Sequence, residues 1–343
     1  MFLKNIAIAY PVLLITSIQK SFEALGRSVG KAGKTVARWL LAAQLYYDQI
    51  KILQRYQFRD KKQLFLAIDD TLIKKIYSQL MEGSGLFYDT QTRRRIIAYK
   101  LLAAILTDGK QAIPFESTFL FSKELLPNPK ESKYDWIKKI IRMVQLLFPG
   151  IRIIVTADGA FSSKDFLRWC SENKIDIEVR MRSNCVVVYK DQIIAIRDIK
   201  TLKPRGRQMA RTIAVLWHDI PLQITAELRI DKHGKKSVVY QASTFEAKPI
   251  EHVRIYKMRW CIEMFFRTAK QKLGLEECSS RKLEIQESHV ASVLLAYALV
   301  QCDRKKRGLK KLEDAIRTAE LKKGSSLNRY ISRLSRYFDN AHA

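Results

Sequence analysis

The chain has 343 residues and 47 % hydrophobic content, enough to bury a core in one large or two to three modest domains, which excludes a disordered chain. Its charge is lopsided, with 62 Lys and Arg against 34 Asp and Glu, a net charge of +28 and a pI of about 9.9. The basic residues run along the whole length, so the expectation is a folded protein with a wide positive surface and a polyanionic partner, nucleic acid first.

The N-terminal FLKNIAIAYPVLLI has the texture of a signal h-region. Pro11 interrupts it, only Lys4 precedes it, and no small-x-small cleavage site follows, so it reads as a core-facing segment. No apolar run approaches the roughly 18 residues of a membrane span, and no membrane partner is expected. Residues 16–60 read as helices. SFEALGRSVGKAGKTVARWL carries two short helical patterns around Gly30 and Gly33, and KTVARWLLAAQLY is basic first and apolar later. That order fits a helix-turn-helix that offers the start of its second helix to DNA.

The texture then changes. LFLAIDD (64–70) is a short apolar run ending in two carboxylates. RRRIIAYKLLAAIL (93–106) and AIPFESTFLF (112–121), separated by the turn TDGKQ, predict neighbouring antiparallel strands. YDWIKKIIRMVQLLF (134–148) is apolar at helical spacing and stopped by Pro149-Gly150. IRIIVTAD (151–158) predicts a buried strand ending in Asp158, SSKDFLRWCSEN (162–173) a serine-capped helix, and DIEVRMRS (176–183) a further strand. This order predicts an α/β fold, a mixed sheet with helices packed on it. Short strands joined by turns fill 186–247 and predict a β-rich insertion. Helices resume near Pro249, and SHVASVLLAYALVQC (288–302) is apolar almost all round, hence buried. The five cysteines, Cys170, Cys185, Cys261, Cys278 and Cys302, are far apart and form no CxxC pair, which argues against a zinc site or disulfide framework and for a reducing compartment.

YKMRWCIEMFFRTAK (256–270) predicts one amphipathic helix. At about 100° per residue, Tyr256, Arg259, Glu263 and Lys270 fall within an arc of about 60°, opposite Met258, Ile262, Phe265, Phe266 and Ala269. Alone, such a row is a solvent face with i,i+4 pairs. Asp69, Asp70 and Asp158 change its meaning. Carboxylates at the ends of apolar strands are costly unless they are paired or bind a cation. A helix docked on the sheet can bring Glu263 to the same strand ends, and three convergent carboxylates in a basic protein suit hard divalent cations, Mg²⁺ or Mn²⁺, while the basic surroundings suit a phosphate backbone. Together they point to two-metal phosphoryl transfer.

These segments resemble a family. IDDT (68–71), VTADGAF (155–161) and YKMRWCIEMFFRTAKQKLGL (256–275) are similar to the motifs of DDE transposases of the IS4 family of bacterial insertion sequences, the last carrying the whole Y-x2-R-x3-E-x6-K signature. The resemblance covers roughly 64–302. It implies an RNase H-like core over 61–185 and 248–305, interrupted by the β-rich insertion at 186–247, with a helical region at 1–60 and a helical segment at 306–343. It implies Asp69, Asp158 and Glu263 as catalytic ligands of two Mg²⁺ or Mn²⁺ ions, with Asp70 the alternative to Asp69. Tyr256, Arg259 and Lys270 match the family residues that hold the transposon-end backbone, and Trp217 is placed to stack on a flipped base, its other reading being a core tryptophan.

The activity implied is cleavage at the element's ends and strand transfer into target DNA, through a hairpin intermediate, by a homodimer on DNA in the bacterial cytoplasm with the nucleoid. Its rivals are a structure-specific nuclease on the same core and a repurposed, non-catalytic DNA-binding protein. His218, His233 and His252 lack metal-ligand spacing. DKHGKK (231–236) predicts a hairpin turn. RRR (93–95), KPRGR (203–207) and CDRKKRGLKK (302–311) read as solvated basic surface or DNA-backbone contacts.

Overall fold

The computed structural model describes residues 2–17, 19–76, 81–121, 132–320 and 325–339. The side chain of Lys4 and residues 321–324 of the C-terminal stretch lie outside that description. In chain order the first elements are α1 (Phe2–Thr16), α2 (Phe22–Ser28), α3 (Gly33–Ala37), α4 (Ala43–Phe58), β1 (Gln63–Lys74), β2 (Gly85–Asp89), β3 (Arg94–Thr107), β4 (Ala112–Leu120) and α5 (Lys133–Leu147). They are followed by β5 (Arg152–Ala157), α6 (Lys164–Glu172), β6 (Asp176–Met181), β7 (Val186–Tyr189), β8 (Gln192–Ala195), β9 (Ala210–Trp217), β10 (Ile220–Ile230) and β11 (Lys236–Ser243). Helices α7 (Pro249–Lys257), α8 (Trp260–Lys272), α9 (Leu283–Lys306), α10 (Leu312–Glu320) and α11 (Ser325–Asp339) complete it. The chain forms two compact units: Met1–Lys61, Asp70–Pro149 and Ile262–Ala343 make the first, and Lys62–Asp69 with Gly150–Cys261 the second. No helix among the described residues is long and apolar enough to cross a membrane.

In the first unit α9 is the core. Its middle turns, Val290 to Cys302, are buried on every side, as an all-round apolar pattern requires. α1, α4 and β4 pack on it. From Ile8 onward α1 buries Ile8, Tyr10, Val12, Leu13, Leu14 and Ile15, so the N-terminal stretch faces the core. Pro11 sits inside this helix without ending it. β3 pairs antiparallel with β2 and with β4. The ladder to β4 shifts register at Ala104/Ile105, where Pro114 faces Ile105, because proline has no N–H to donate. α5 opens with a capping box between Ser132 and Asp135 and buries Trp136, Ile137, Ile140, Ile141 and Val144.

The expected helix-turn-helix takes a different form. Its second helix is divided into α3, five residues long, and α4. Between them Leu41 N–H donates to the Tyr46 hydroxyl (3.1 Å) and not to a helical carbonyl. α2 and α3 touch backbone to backbone, since a Cβ on Gly33 would stand 3.0 Å from Glu23 N.

In the second unit the N-terminal part of β1 runs parallel to β5, and β5 parallel to β6. β11 adds antiparallel to β6, β10 to β11 and β9 to β10. β7 and β8 form a hairpin whose strand β7 bridges β9 at Val188↔Leu216. Two hairpins close through two-residue turns with positive φ at both positions, Lys190–Asp191 (51°, 61°) and His218–Asp219 (49°, 64°), the geometry that matches strand twist. DKHGKK turns between β10 and β11, as its composition predicts.

One strand is longer than its sequence suggests. β1 does not stop at Asp69-Asp70 but continues to Lys74. Its pairing with β5 ends at Ile68↔Ala157, because Asp158 turns β5 into a 3-10 turn, Gly159–Phe161. Past Lys74, Lys75 N–H donates to Ile97 O (2.9 Å) of β3.

Candidate active site

Parallel strands bring their C-terminal ends to one side of a sheet. Ile68 faces Ala157 in the β1–β5 register, so Asp69 and Asp158, one residue further on, occupy adjacent positions in the second unit. Apolar residues Leu66, Ala67, Ile68, Val155 and Ala157 are buried behind them, while both aspartates keep part of their surface in solvent. Asp158 Oδ1 accepts the Ala160 N–H (2.7 Å). Asp69 Oδ2 accepts from Arg259 Nη1 (2.8 Å), with the two side chains 17 % and 16 % exposed. Asp70 belongs to the first unit and lies 3.2 Å from Lys100 Nζ. Consecutive strand residues point to opposite faces, so the two neighbouring aspartates have different surroundings.

The row predicted over 256–270 is not on one helix. α7 ends at Lys257 and α8 begins at Trp260. At the break Arg259 N–H donates to Tyr256 O (3.1 Å) and Cys261 N–H to Met258 O (3.2 Å), the tighter i→i+3 pattern. The physical return is the ion pair, since Arg259 in this turn reaches Asp69. The same guanidinium lies 5.7 Å from the centroid of the Tyr256 ring. Burial pushes the Tyr256 hydroxyl above its ordinary pKa, with the Arg259 charge acting against it.

The other half of the row belongs to the first unit. Glu263 lies in the first turn of α8. Lys270, two turns on, donates to Leu72 O (2.6 Å) and pairs with Glu276 (3.3 Å). Trp217 ends β9, 9 % exposed, its ring edge-on to His218 at 4.9 Å; this is the environment of a packed indole. Among the described residues no three His, Cys, Asp or Glu side chains gather as a metal site. Asp69 and Asp158 are adjacent oxygen donors of the kind Mg²⁺ and Mn²⁺ take, so the donor chemistry fits a hard cation.

Two features were not singled out in the sequence. A cleft of about 540 Å³ opens beside Asp158 and is lined by Arg180, Arg182, Ser183, Asn184 and Tyr240. Its sequence signal is RMRS (180–183), basic residues alternating across the end of β6. His252 and Glu178 form a fully buried pair, Nδ1 to Oε2 2.7 Å, that ties α7 to β6. Burial pushes the Glu178 carboxyl up to about 7, against the pull of the His252 hydrogen bond.

Helices flanking a mixed sheet, with a carboxylate at the end of β5 and another beside it on β1, define an α/β domain of the RNase H-like class. The sequence profile of the family described as Transposase DDE domain matches residues 60–299. The chain belongs to this family, whose members generally use divalent metal ions and act on DNA. A search of curated proteins finds no match.

Proposed function

We propose that this transposase cuts DNA at the ends of its own element and joins those ends to target DNA, in the manner of the IS4 family, through a hairpin intermediate. The observation that carries the reading is the register Ile68↔Ala157, which sets Asp69 beside Asp158. Asp69, Asp158 and Glu263 are the proposed catalytic carboxylates and would hold two Mg²⁺ or Mn²⁺ ions. When bound, such ions activate a water or 3′-hydroxyl and stabilise the leaving oxygen. The neighbourhood of Asp69 favours it over Asp70, because Asp69 is one register step past Ile68 while Asp70 pairs with Lys100.

Tyr256, Arg259 and Lys270 are the proposed contacts to the backbone of the end DNA. A guanidinium and an ammonium suit phosphate by charge, and a phenol by its hydroxyl. Arg259 and Lys270 rest on protein oxygens, which a phosphate oxygen would replace. Residues 61–185 with 248–305 form the proposed catalytic core and 186–247 an insertion within it. Two ends must be brought together, so the active form is proposed to be a homodimer on DNA.

The test uses DNA carrying the gene's own flanking ends. Purified wild type, Glu263→Gln and Asp69→Asn are incubated with it in Mg²⁺, in Mn²⁺ and in chelator, and the broken strands are mapped. Metal-dependent breaks at the ends are expected with wild type alone, while both variants still bind. Cleavage by Glu263→Gln, or by any form in chelator, would falsify the assignment. Cutting at junctions without regard to the ends would make the protein a structure-specific nuclease, and binding without cutting a DNA-binding protein.

A further inference from the structure

β2 is an edge strand of the first unit, and its hairpin with β3 combines exposed apolar and basic residues. Leu86 and Tyr88 alternate on one face and are 51 % and 59 % exposed. Tyr88 stands directly opposite Arg95 in the ladder, and opposed residues of an antiparallel pair share a face. The turn between the strands is closed by Arg93, φ 55°, so Arg93, Arg94 and Arg95 follow one another, all exposed.

The carboxylate opposite Arg94 in the ladder, Asp89, has its bonds elsewhere. Asp89 is buried and accepts from Lys74 Nζ (2.7 Å), Gln91 N–H (3.1 Å) and Thr92 Oγ1 (2.9 Å). Its charge is committed to holding the turn, and the Lys74 hydrogen bond lowers its pKa to about 2. Beside the hairpin runs a cleft of about 440 Å³ lined by Asp70, Lys74, Tyr88, Lys100 and Lys270. The patch therefore continues into the cleft that holds Lys270.

We propose that the β2–β3 hairpin grips the phosphate backbone of the element-end duplex where it continues past Lys270, with Arg93 and Arg95 on phosphates and Tyr88 against the sugar-phosphate edge. The proposal rests on the reading of Lys270 as an end contact. Uncompensated arginines beside an exposed phenol suit a polyanion better than a protein surface: Arg pairs bidentately with phosphate and Tyr supplies a hydroxyl and a flat apolar ring. No base is read, so the contact is indifferent to sequence.

The experiment is fluorescence anisotropy with the full chain, a labelled duplex carrying the gene's flanking end, and a scrambled duplex of equal length, across a range of salt. Wild type, Glu263→Gln, Arg93→Gln/Arg95→Gln and Tyr88→Ala are compared, with thermal melts to confirm folding. The double variant is expected to bind both duplexes more weakly and to flatten the log-log salt dependence by about 2, one for each lost phosphate contact. Tyr88→Ala is expected to weaken binding with the slope unchanged. A double variant with wild-type affinity and slope overturns the proposal, and so does one whose end binding is intact while joining to target DNA falls, which would assign the hairpin to target DNA. A wild type with no preference for the end duplex overturns the end reading itself, and the hairpin assignment with it.

Discussion

Asp69 and Asp70 are neighbours in the chain with different surroundings. Asp69 is one register step past Ile68, beside Asp158, and is held by Arg259. Asp70 faces Lys100 on β3. Asp69→Asn is therefore expected to cut end cleavage by about a thousandfold, equivalent to about 4 kcal/mol of transition-state stabilisation, and Asp70→Asn to leave it within about tenfold of wild type. Strand mapping of the two variants side by side checks this, and equal losses would move the assignment to Asp70 or to both. Arg259 is shared between a carboxylate and, on the proposed reading, a phosphate. Arg259→Ala is expected to lower end affinity and to flatten the salt slope by about 1. Binding measured at rising salt decides it, and an unchanged slope counts against a phosphate role.

At the scale of elements, the break between α7 and α8 matters because α7 delivers Tyr256 and leads into Arg259. α7 is fixed to β6 by His252 and Glu178, both wholly buried. Removing one partner of a buried pair leaves the other without compensation, at a cost of about 3 kcal/mol. His252→Ala is expected to lose about that much in urea unfolding, while Glu178→Gln, which keeps an acceptor for the His252 ring, is expected to lose much less. Equal losses would show that packing volume alone matters here. Ser163 caps α6 where SSKDFLRWCSEN announces a helix start, because a cap is a local hydrogen bond. The helix over 256–270 was legible as apolar spacing, yet the interruption at Met258-Arg259 was not, because it is tied to an ion pair with a strand far away in sequence.

At the scale of the whole molecule, the two units are expected to answer pH in opposite senses. In the first, burial lowers the His289 pKa from 6.5 to about 4, and the neutral ring bonds the Tyr10 hydroxyl (2.9 Å) and Gly274 O (2.8 Å). A depressed histidine contributes stability that is present above pH 6.5 and lost as pH falls through about 4, up to about 3 kcal/mol. In the second, the raised Glu178 carboxyl contributes stability present below pH 4.5 and lost as pH rises through about 7. Hydrogen exchange converted to opening free energies at pH 5 and pH 8 is expected to show α1 and α9 weakened at the lower value and β6 with α7 at the higher. Parallel changes in both units would contradict these two assignments.

Composition and local pattern determined on their own that the chain folds around an α/β sheet, set the expectation of a polyanionic partner, and marked which carboxylates and cations to watch. Charge, periodicity and caps are properties of neighbouring residues and survive without coordinates. The placing of Asp69 beside Asp158, the extension of β1 to Lys74 and the division of the expected second N-terminal helix were decided by tertiary structure. Each depends on a partner far along the chain: a strand register, a hydrogen bond to Ile97 O, the Tyr46 hydroxyl. The same is true of the buried Glu178–His252 pair. A lone histidine and a lone glutamate carry no mark in a sequence, and only the packing of α7 on β6 removes both from water and makes each the other's partner.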